Sequence, residues 1–376
     1  ITFSGGIAFN GSYPRLALIV WFITSVALLL SKHDRVNPYN LRLMSLLIIW
    51  ILLVQFVLVR DHSQNTFLSY VFYILGGGIG LSSFDFQKFK TILLKEMIVL
   101  SCISIGVQIL YNIGLISSKT LTVSDGSQYV TCFHFFNVEW AGERRLSSIY
   151  WEPGQFQILI IYTLCLFIDD FSNFQNMYDW VKKYGFLVIA LVMSQSTTGY
   201  ISFAIFLICS IFFSNKKGTK SIIRFILSAF VAIIGIIFIA NSDVVQEKLG
   251  QRNVDVDNSF NVRMADNRAC FLATMESPIY GWGVATNTLY QRLASLGNFT
   301  SSNGWLLTSA SLGVTYLLFL FIAMYKGIAR MKRKVPIFVI MFLLILSQCN
   351  ESVSYFPYMY IYLFKYKCYS NDGVER

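Results

Sequence analysis

The segment RRLSSIYWEPGQF, Arg144–Phe156, places several reactive side chains just ahead of a long apolar run. Arginine suits phosphate, because its planar guanidinium donates two parallel hydrogen bonds and keeps its charge. Glutamate can take a proton from an attacking hydroxyl. The segment therefore offers two candidate phosphate ligands, one candidate base and two aromatic faces, which are Arg144, Arg145, Glu152, Tyr150 and Trp151.

A second group of candidates lies in VRMADNRACFLATMESPIYGWG, which starts at Val262. We expect a helix over about 262–276 that ends at Ser277-Pro278. Arg263 and Asn267 are four residues apart and would share one face of that helix. This segment adds two arginines, one amide and one tryptophan as candidates, which are Arg263, Arg268, Asn267 and Trp282.

Each candidate also has a structural explanation. Arginines at a membrane surface can hold lipid headgroups or lie in solvent. Glu152 could be the partner that orients Arg145, and Trp151 and Trp282 could anchor the chain at the membrane interface, where tryptophan is enriched. Glu351, between two short apolar runs, is either a hydrated loop residue or a carboxylate that faces a polar cavity.

The elements that must position these residues are membrane helices. The chain has 376 residues, 55% hydrophobic and 13% charged, with mean hydropathy +0.57. Soluble domains carry roughly twice that share of charge. We expect one all-α membrane domain, residues 1–376, a polytopic integral membrane protein with about 11 (10–12) transmembrane helices. The candidate spans are 16–30, 43–59, 66–84, 97–116, 155–168, 185–195, 199–213, 222–240, 305–325, 336–349 and 353–366.

Basic clusters set the expected orientation. Lys and Arg collect in short loops, which stay cytoplasmic. Keeping every cluster inside requires the stretch 184–213 to cross twice, with a turn at QSTTGY and 169–183 in the cytoplasm. The two larger loops, 117–154 and 241–304, then face the periplasm. The net charge of +10 belongs to these inner loops, and no nucleic-acid partner is expected.

The glycine run GGGIG, residues 76–80, lies inside a candidate span rather than after a strand. A nucleotide-binding loop would need the strand–turn–helix context. Small residues within a membrane helix instead let neighbouring helices approach closely. We therefore predict that this run packs helices together.

Three spaced blocks resemble the O-antigen polymerase/ligase family of bacterial membrane glycosyltransferases. The first is RLSSIYWEPGQF, with Arg145, Ser148, Glu152 and Pro153. The second carries Arg263, then Pro278, Gly281 and Gly283. The third is SNGWLLTSASLG, with Asn303, Leu306 and Gly313. Their order is that of the family, and they cover roughly residues 145–313. The polar break SQSTTG also falls where members of the family carry a serine-rich break.

The third block departs from the pattern of the family's ligases. Where ligases carry histidine before the asparagine, this chain has Ser302. The resemblance implies that the ligase reaction uses that histidine. Polymerases of the family often lack it. The departure therefore favours a polymerase, and a ligase remains the alternative.

The resemblance implies a GT-C-like enzyme of the inner membrane whose active site faces the periplasm. Its donor would be a growing glycan on undecaprenyl diphosphate, and its acceptor a repeat unit on the same carrier, with no cofactor and no metal. Other expected partners are membrane lipids, and the resemblance leaves open a chain-length regulator protein.

The implied chemistry assigns roles to the candidate residues. The expected catalytic residues are Arg145 and Arg263 at the diphosphate, Glu152 as first candidate base and Glu351 as second. Sugars would stack on aromatic side chains. The expected binding residues are Arg144, Arg268, Asn267, Tyr150, Trp151, Trp282, Asn303 and Trp305.

A transporter is the competing class of function. It would place paired charges within broken helices near the membrane midplane. Few charges lie inside the candidate spans, and most of the distinctive residues lie in the outer loops, which disfavours this class.

Overall fold

The computed structural model describes residues 14–32, 35–61, 66–122, 128–139, 144–172, 177–213, 259–297, 303–331, 334–349 and 357–367. Most of these residues are helical. A π-helix, Leu53–Leu58, continues α2, and a 3-10 helix spans Pro357–Tyr362. The α-helices are α1 (Pro14–Ser31), α2 (Pro38–Leu52), α3 (Thr66–Ser82), α4 (Phe86–Asn112), α5 (Pro153–Cys165), α6 (Ile168–Ser172), α7 (Met177–Met193), α8 (Thr197–Phe212), α9 (Ser259–Glu276), α10 (Asn287–Ser295), α11 (Gly304–Arg330) and α12 (Ile337–Ser347).

The described helices have the character of a membrane protein. Three are long and apolar enough to cross a membrane by length and composition: Pro38–Leu58, Phe86–Asn112 and Gly304–Arg330. Large apolar side chains such as Ile49 and Val99 point outward, 61% and 55% exposed. Broad exposed apolar faces mark surfaces that meet lipid or protein. The predicted count of about 11 spans stays a prediction, and span 222–240 lies outside the described residues.

Helix α5 is the centre of the molecule. All 13 of its residues are buried. Helices α4, α7, α8 and α12 pack around it. A helix that is apolar nearly all round is stable only inside such a bundle. Because the segment Arg144–Glu152 leads directly into α5, the candidate residues of that segment are tied to the core.

Helices α7 and α8 form the hairpin that the double crossing of 184–213 requires. The turn between them, residues 194–196, contains Gln195 with a positive φ of 49°. The backbone N–H of Leu146 donates to the carbonyl of Met193 at 3.0 Å. The hairpin turn therefore lies at the same end of the bundle as the start of α5. Which side of the membrane this end faces stays a prediction.

The glycine run in α3 packs helices together, as predicted. A Cβ on Gly76 would overlap the indole of Trp21 on α1, and one on Gly78 would overlap the sulfur of Met44 on α2. A Cβ on Gly77 would lie 3.0 Å from the ring of Tyr360. Three neighbouring segments thus approach the backbone of α3 at successive glycines.

The loop 117–154, for which no secondary structure was predicted, contains a small sheet within the mostly helical chain. Three antiparallel strands form there: β1 (Lys119–Thr122), β2 (Gln128–Cys132) and β3 (Phe136–Glu139), in the order β1-β2-β3. Lys119 of β1 pairs with Thr131 of β2. The register of the β2–β3 pair shifts between Val130 and Thr131. Alternating polar and β-branched or aromatic residues favour strands. No strand was predicted for this loop from the sequence.

The last predicted span, 353–366, also differs from expectation in its described part. Residues 357–367 form the 3-10 helix and an irregular segment that are buried within the bundle. The backbone N–H of Lys365 donates to Asn40 Oδ1 at 2.7 Å, and Asn40 Nδ2 donates back to the Lys365 carbonyl at 2.8 Å. Protein partners of this kind let non-helical backbone exist at membrane depth.

Basic residues from distant parts of the chain gather at one end of the bundle. Lys32 donates to the Ser83 carbonyl at 2.8 Å. Lys90 and Lys183 both lie 5.0 Å from the ring centre of Phe167. We call this the basic end, and it also holds the segment between α5 and α7. Lys183, in the first half of α7, therefore lies beside Lys90 of another basic cluster. That 169–183 faces the cytoplasm stays a prediction.

Candidate functional site

Arg145 is fixed against the turn of the α7–α8 hairpin. It is 9% exposed. Its Nε donates to the Ser194 carbonyl at 3.3 Å, and its Nη2 donates to the Gln195 carbonyl at 2.7 Å. Hydrogen bonds from a charged donor to carbonyls hold the guanidinium in one orientation. A fixed positive charge therefore lies at the entrance to α5.

Arg144 is held differently, by the sheet. Its side chain is 56% exposed and its Nε lies 3.8 Å from Glu139 Oε1. The guanidinium lies 5.4 Å from the ring centre of Tyr111. An exposed pair of this length contributes little to stability. The two adjacent arginines thus have separate environments.

Ser148 ties the segment to α4 and to the sheet. Its backbone has a positive φ of 58°, and its hydroxyl shares a 2.7 Å hydrogen bond with Ser104. Its carbonyl accepts from the backbone N–H of Asn137 at 2.7 Å. Serine rarely adopts this conformation, and surrounding contacts must stabilise it. The backbone between Arg145 and Glu152 is therefore well determined.

Glu152 is the N-cap residue of α5 and is half-buried. Its backbone is extended, and its side chain makes no capping hydrogen bond. In the part of the chain that the structure describes, its carboxylate makes no ion pair or hydrogen bond. The alternative that it orients Arg145 therefore has no contact to support it. The assignment of Glu152 as base stays a prediction.

Tyr150 and Trp151 face the protein rather than an open surface. Tyr150 is completely buried, with its ring 5.9 Å from that of Phe156. Burial raises the pKa of the Tyr150 hydroxyl, and the charge of Glu96 raises it further. Trp151 is half-buried against the core. In this conformation Tyr150 has no face to offer a sugar, and Trp151 has part of one.

Helix α11 folds back on itself at Gly313. That residue has φ 79° and ψ 166°, which no helix accommodates. The rings of Trp305 and Phe321 lie 5.2 Å apart, although 16 residues of straight helix would separate them by about 24 Å. Residues 304–312 and 314–330 are therefore two half-helices side by side. The apolar stretch Gly304–Arg330 does not cross the bundle as one rod.

The fold-back places Asn303 and Trp305 inside the bundle. Asn303 caps the first half-helix, since its Oδ1 accepts from the backbone N–H groups of Trp305 and Leu306, both at 3.1 Å. Trp305 is 6% exposed, and its indole N–H donates to the Ile345 carbonyl at 3.0 Å. Both predicted binding residues have structural roles in this conformation.

The glycines of the GWG motif allow the chain to cross α11 at its kink. The backbone N–H groups of Trp282 and Gly283 donate to the carbonyls of Ala310 and Ser311, both at 2.8 Å. Gly281 and Gly283 have φ of 71° and 85°, the left-handed region that glycine tolerates. The Trp282 indole donates to the Ala273 carbonyl at 2.8 Å. Trp282 is half-buried in this packing.

Helix α9 carries the second group of predicted residues and packs against α11. Arg263 is half-buried and Arg268 is exposed. Neither makes an ion pair or hydrogen bond with another described residue. Asn267 Oδ1 is buried and likewise lacks a hydrogen-bond partner among the described residues. These groups are available to a ligand, and the proximity of Arg263 to Arg145 stays a prediction.

Three helix N-termini meet around the end of α12. Gln157, on the second turn of α5, donates to the Ser347 carbonyl at 3.0 Å. A Cβ on Gly199, on the first turn of α8, would lie 3.1 Å from the Gln157 side chain. Trp305, on the first turn of α11, bonds the last turn of α12. The starts of α5, α8 and α11 therefore converge, and helix N-termini carry partial positive charge.

A buried polar cluster beside this convergence was missed by sequence reasoning. Gln157 and Gln348 are at most 1% exposed, and the Oε1 atom of each has no hydrogen-bond partner among the described residues. Gln348 Nε2 donates to the Tyr162 hydroxyl and to Met359 Sδ. Polar side chains inside apolar helices are costly and mark function. In the sequence, the available signal was two glutamines, Gln155 and Gln157, at the start of an apolar helix.

The convergence is recessed within the bundle. Helix α5 has 13 residues and helix α4 has 27, about 20 Å and 40 Å of helix. Both have one end at the basic end, so Glu152 lies well short of the outer end of α4. Among the described residues, no three His, Cys, Asp or Glu side chains could hold a metal ion. Glu351 and Ser302 lie outside the described residues.

One protein-family model matches part of the chain. Residues 184–321 match the family model described as O-antigen ligase. The match runs from α7 to the second half of α11, so it includes the hairpin turn that holds Arg145, the GWG crossing and Asn303. No curated protein and no solved structure matches the chain. These matched residues are similar to that family, and the match does not distinguish a polymerase from a ligase.

Proposed function

We propose that the protein is a glycosyltransferase of the bacterial inner membrane that polymerises lipid-linked repeat units into O-antigen or a related surface polysaccharide. It transfers the growing glycan from undecaprenyl diphosphate to an acceptor repeat unit on the periplasmic side. The observation that carries the proposal is the position of the fixed guanidinium of Arg145, which binds the hairpin turn within the family-matched segment.

The electrostatics of the convergence suit a lipid diphosphate. The starts of α5, α8 and α11 meet there, and each contributes backbone N–H dipoles that favour an anion. Arg145 adds a full charge at the start of α5, and Arg263 on α9 would add a second. The leaving diphosphate gains negative charge in the transition state, so these preorganised charges would stabilise that state directly.

The proposed reaction needs one proton transfer. The acceptor hydroxyl oxygen attacks the anomeric carbon of the donor glycan, and the bond from that carbon to the diphosphate oxygen breaks. The hydroxyl proton passes to a carboxylate, and undecaprenyl diphosphate leaves with the bonding electrons. Glu152 is the first candidate for this base, because its carboxylate is half-buried and has no ion-pair partner among the described residues. Glu351 is the second candidate.

The sequence of the block around Asn303 favours a polymerase over a ligase. Ser302 stands where the family's ligases carry histidine. A ligase that transfers glycan to lipid A core would need another base in that position. A transporter of lipid or polysaccharide, the alternative of a different class, does not require the convergence of helix N-termini with Arg145.

Reconstitution in vesicles with lipid-linked repeat units would separate the three functions. A polymerase should produce a ladder of longer glycans and release one undecaprenyl diphosphate for each new linkage. A ligase should release it only when lipid A core is added. A transporter should move the substrate and leave every glycosidic bond unchanged.

Glu152→Gln tests the base within the same assay. Glutamine keeps the shape of the side chain but cannot accept the proton, so turnover should fall by roughly a hundredfold or more, with donor binding nearly unchanged. The matched control is Glu139→Gln, a carboxylate in β3 that lies outside the convergence. Full activity of Glu152→Gln would remove Glu152 as the base.

A further inference from the structure

A groove on the lateral surface of the bundle lies between α2 and the second half of α11. Its volume is about 290 Å³. Residues at positions i, i+3 and i+7 of each helix line it, which makes each wall a single helix face. The wall residues that matter here are Tyr39, Arg42, Leu46, Phe319, Ile322 and Lys326.

On both walls, the charged side chains lie at the same end of the groove and the apolar side chains lie further along it. Helix α2 begins near the basic end and α11 ends there, so the helices run in opposite directions. Arg42 and Lys326 consequently lie at the same mouth of the groove, and Leu46 and Ile322 lie deeper. The guanidinium of Arg330 lies 3.5 Å from the ring centre of Tyr39 and adds a third cation at that mouth.

The positive charge at this mouth is not neutralised by the described protein. Arg42, Lys326 and Arg330 are exposed and make no ion pair with a described acidic residue. No Asp or Glu is among the described residues that line the groove. Below the cations, Leu46 and Ile322 are 44% and 52% exposed. A matching ligand has an anionic head and an apolar tail.

We propose that this groove binds a two-chain anionic phospholipid of the surrounding bilayer. The phosphate contacts Arg42 and Lys326, and one acyl chain lies along Leu46, Phe319 and Ile322. Free phosphate would leave the apolar walls uncovered, and a zwitterionic headgroup would bring an amine among three cations. Basic pockets between membrane helices bind anionic headgroups in this way.

The site goes beyond the proposed function and shares no residue with the candidate functional site. It still supports the fold around that site. Trp50, on α2, donates its indole N–H to the Leu312 carbonyl at 2.9 Å, beside the kink of α11. Its ring also meets that of Phe319 edge to face at 5.7 Å. A lipid in the groove would therefore stabilise the packing of α2 on the folded-back α11.

Native mass spectrometry of the full chain in a neutral detergent tests the site. The probes are phosphatidylglycerol, phosphatidylethanolamine, undecaprenyl phosphate and inorganic phosphate, each titrated separately. The wild type should retain one phosphatidylglycerol in preference to the other three. Arg42→Gln with Lys326→Gln should weaken that adduct roughly thirtyfold. The matched control, Lys88→Gln with Lys182→Gln, removes two exposed lysines elsewhere and should bind as the wild type does.

Ile322→Trp is the second test, because it fills the apolar wall, keeps every charge and changes an exposed side chain. It should also lose the adduct. Equal loss in the lysine control would mean diffuse attraction to a basic surface, and unchanged binding in Ile322→Trp would place the acyl chain elsewhere. Tighter binding of undecaprenyl phosphate, or competition by inorganic phosphate, would also overturn the proposal.

Discussion

At the scale of single residues, the adjacent Arg144 and Arg145 differ because of what accepts their hydrogen bonds. Arg145 uses two different nitrogens for two carbonyls of one turn. Arg144 is mostly exposed beside Glu139. The two neighbouring arginines therefore have different expected roles. Arg145, the buried one, is held by contacts that depend on a planar guanidinium.

Arg145→Lys should consequently lower both stability and polymer formation. An ammonium cannot reproduce the spacing of Nε and Nη2, so one carbonyl loses its charged donor at a cost of about 2 kcal/mol. Thermal unfolding in detergent measures the first effect, and the glycan ladder measures the second. Arg144→Lys is the control and should leave both near the wild-type values. Equal effects of the two substitutions would contradict a special role for Arg145.

At the scale of elements, the fold-back of α11 depends on Gly313. A Cβ there would overlap the carbonyl of Ile279, and φ is positive. Gly313→Ala should therefore destabilise the protein by about 3 kcal/mol or more, measured as a lower Tm. Gly106→Ala is the control, since Gly106 is helical and a Cβ there meets nothing within 4 Å. A Tm for Gly313→Ala equal to that of Gly106→Ala would argue against the fold-back.

Helix α6 is joined to α7 at the basic end by Asp170. Burial alone would raise the pKa of Asp170, but the Lys183 ammonium at 2.9 Å outweighs it and holds the pKa below its usual range. A lowered folded-state pKa gives stability that is present above the unfolded value, about 3.9, and is lost as the pH falls through the folded value.

The Tm advantage of the wild type over Asp170→Asn should therefore be full at pH 7 and shrink below about pH 4. Thermal unfolding across the pH range measures it. Lys183→Gln, which removes the partner and keeps Asp170, should lose the same advantage at pH 7. An advantage that persisted unchanged at the lowest pH would contradict the role of the Asp170–Lys183 pair.

At the scale of the whole molecule, the bundle has two chemically distinct ends. One gathers lysines and arginines, and the other carries the sheet, the hairpin turn and the start of α5. Positively charged loops remain in the cytoplasm, so the sheet should face the periplasm.

Labelling with an impermeant thiol reagent in cells tests this orientation. In a background with Cys102→Ser, Thr120→Cys in β1 should be labelled from outside, whereas Lys182→Cys in α7 should be labelled only after permeabilisation. Both positions are exposed. Labelling of Lys182→Cys in intact cells would contradict the assigned orientation.

Local sequence was sufficient for properties that depend on composition and neighbouring residues. Apolar runs predicted membrane helices, GGGIG predicted close helix packing, and the parity of basic loops predicted the α7–α8 hairpin. The end of α9 at Ser277-Pro278 was also predictable, since proline stops a helix. Each of these follows from short-range rules or from the partition of side chains between water and lipid.

Only the tertiary structure decided which candidates share a site and which are structural. A single apolar stretch, 304–330, folds back because Gly313 meets the chain at Ile279, a contact between distant segments. The same long-range packing buries Tyr150 and Trp305, and joins Gln157 to Ser347 across 190 residues. Periodicity records which face of a helix is apolar. It does not record whether that face meets lipid or protein. That contact decides whether an aromatic ring such as that of Tyr150 is buried or is free to stack on a sugar.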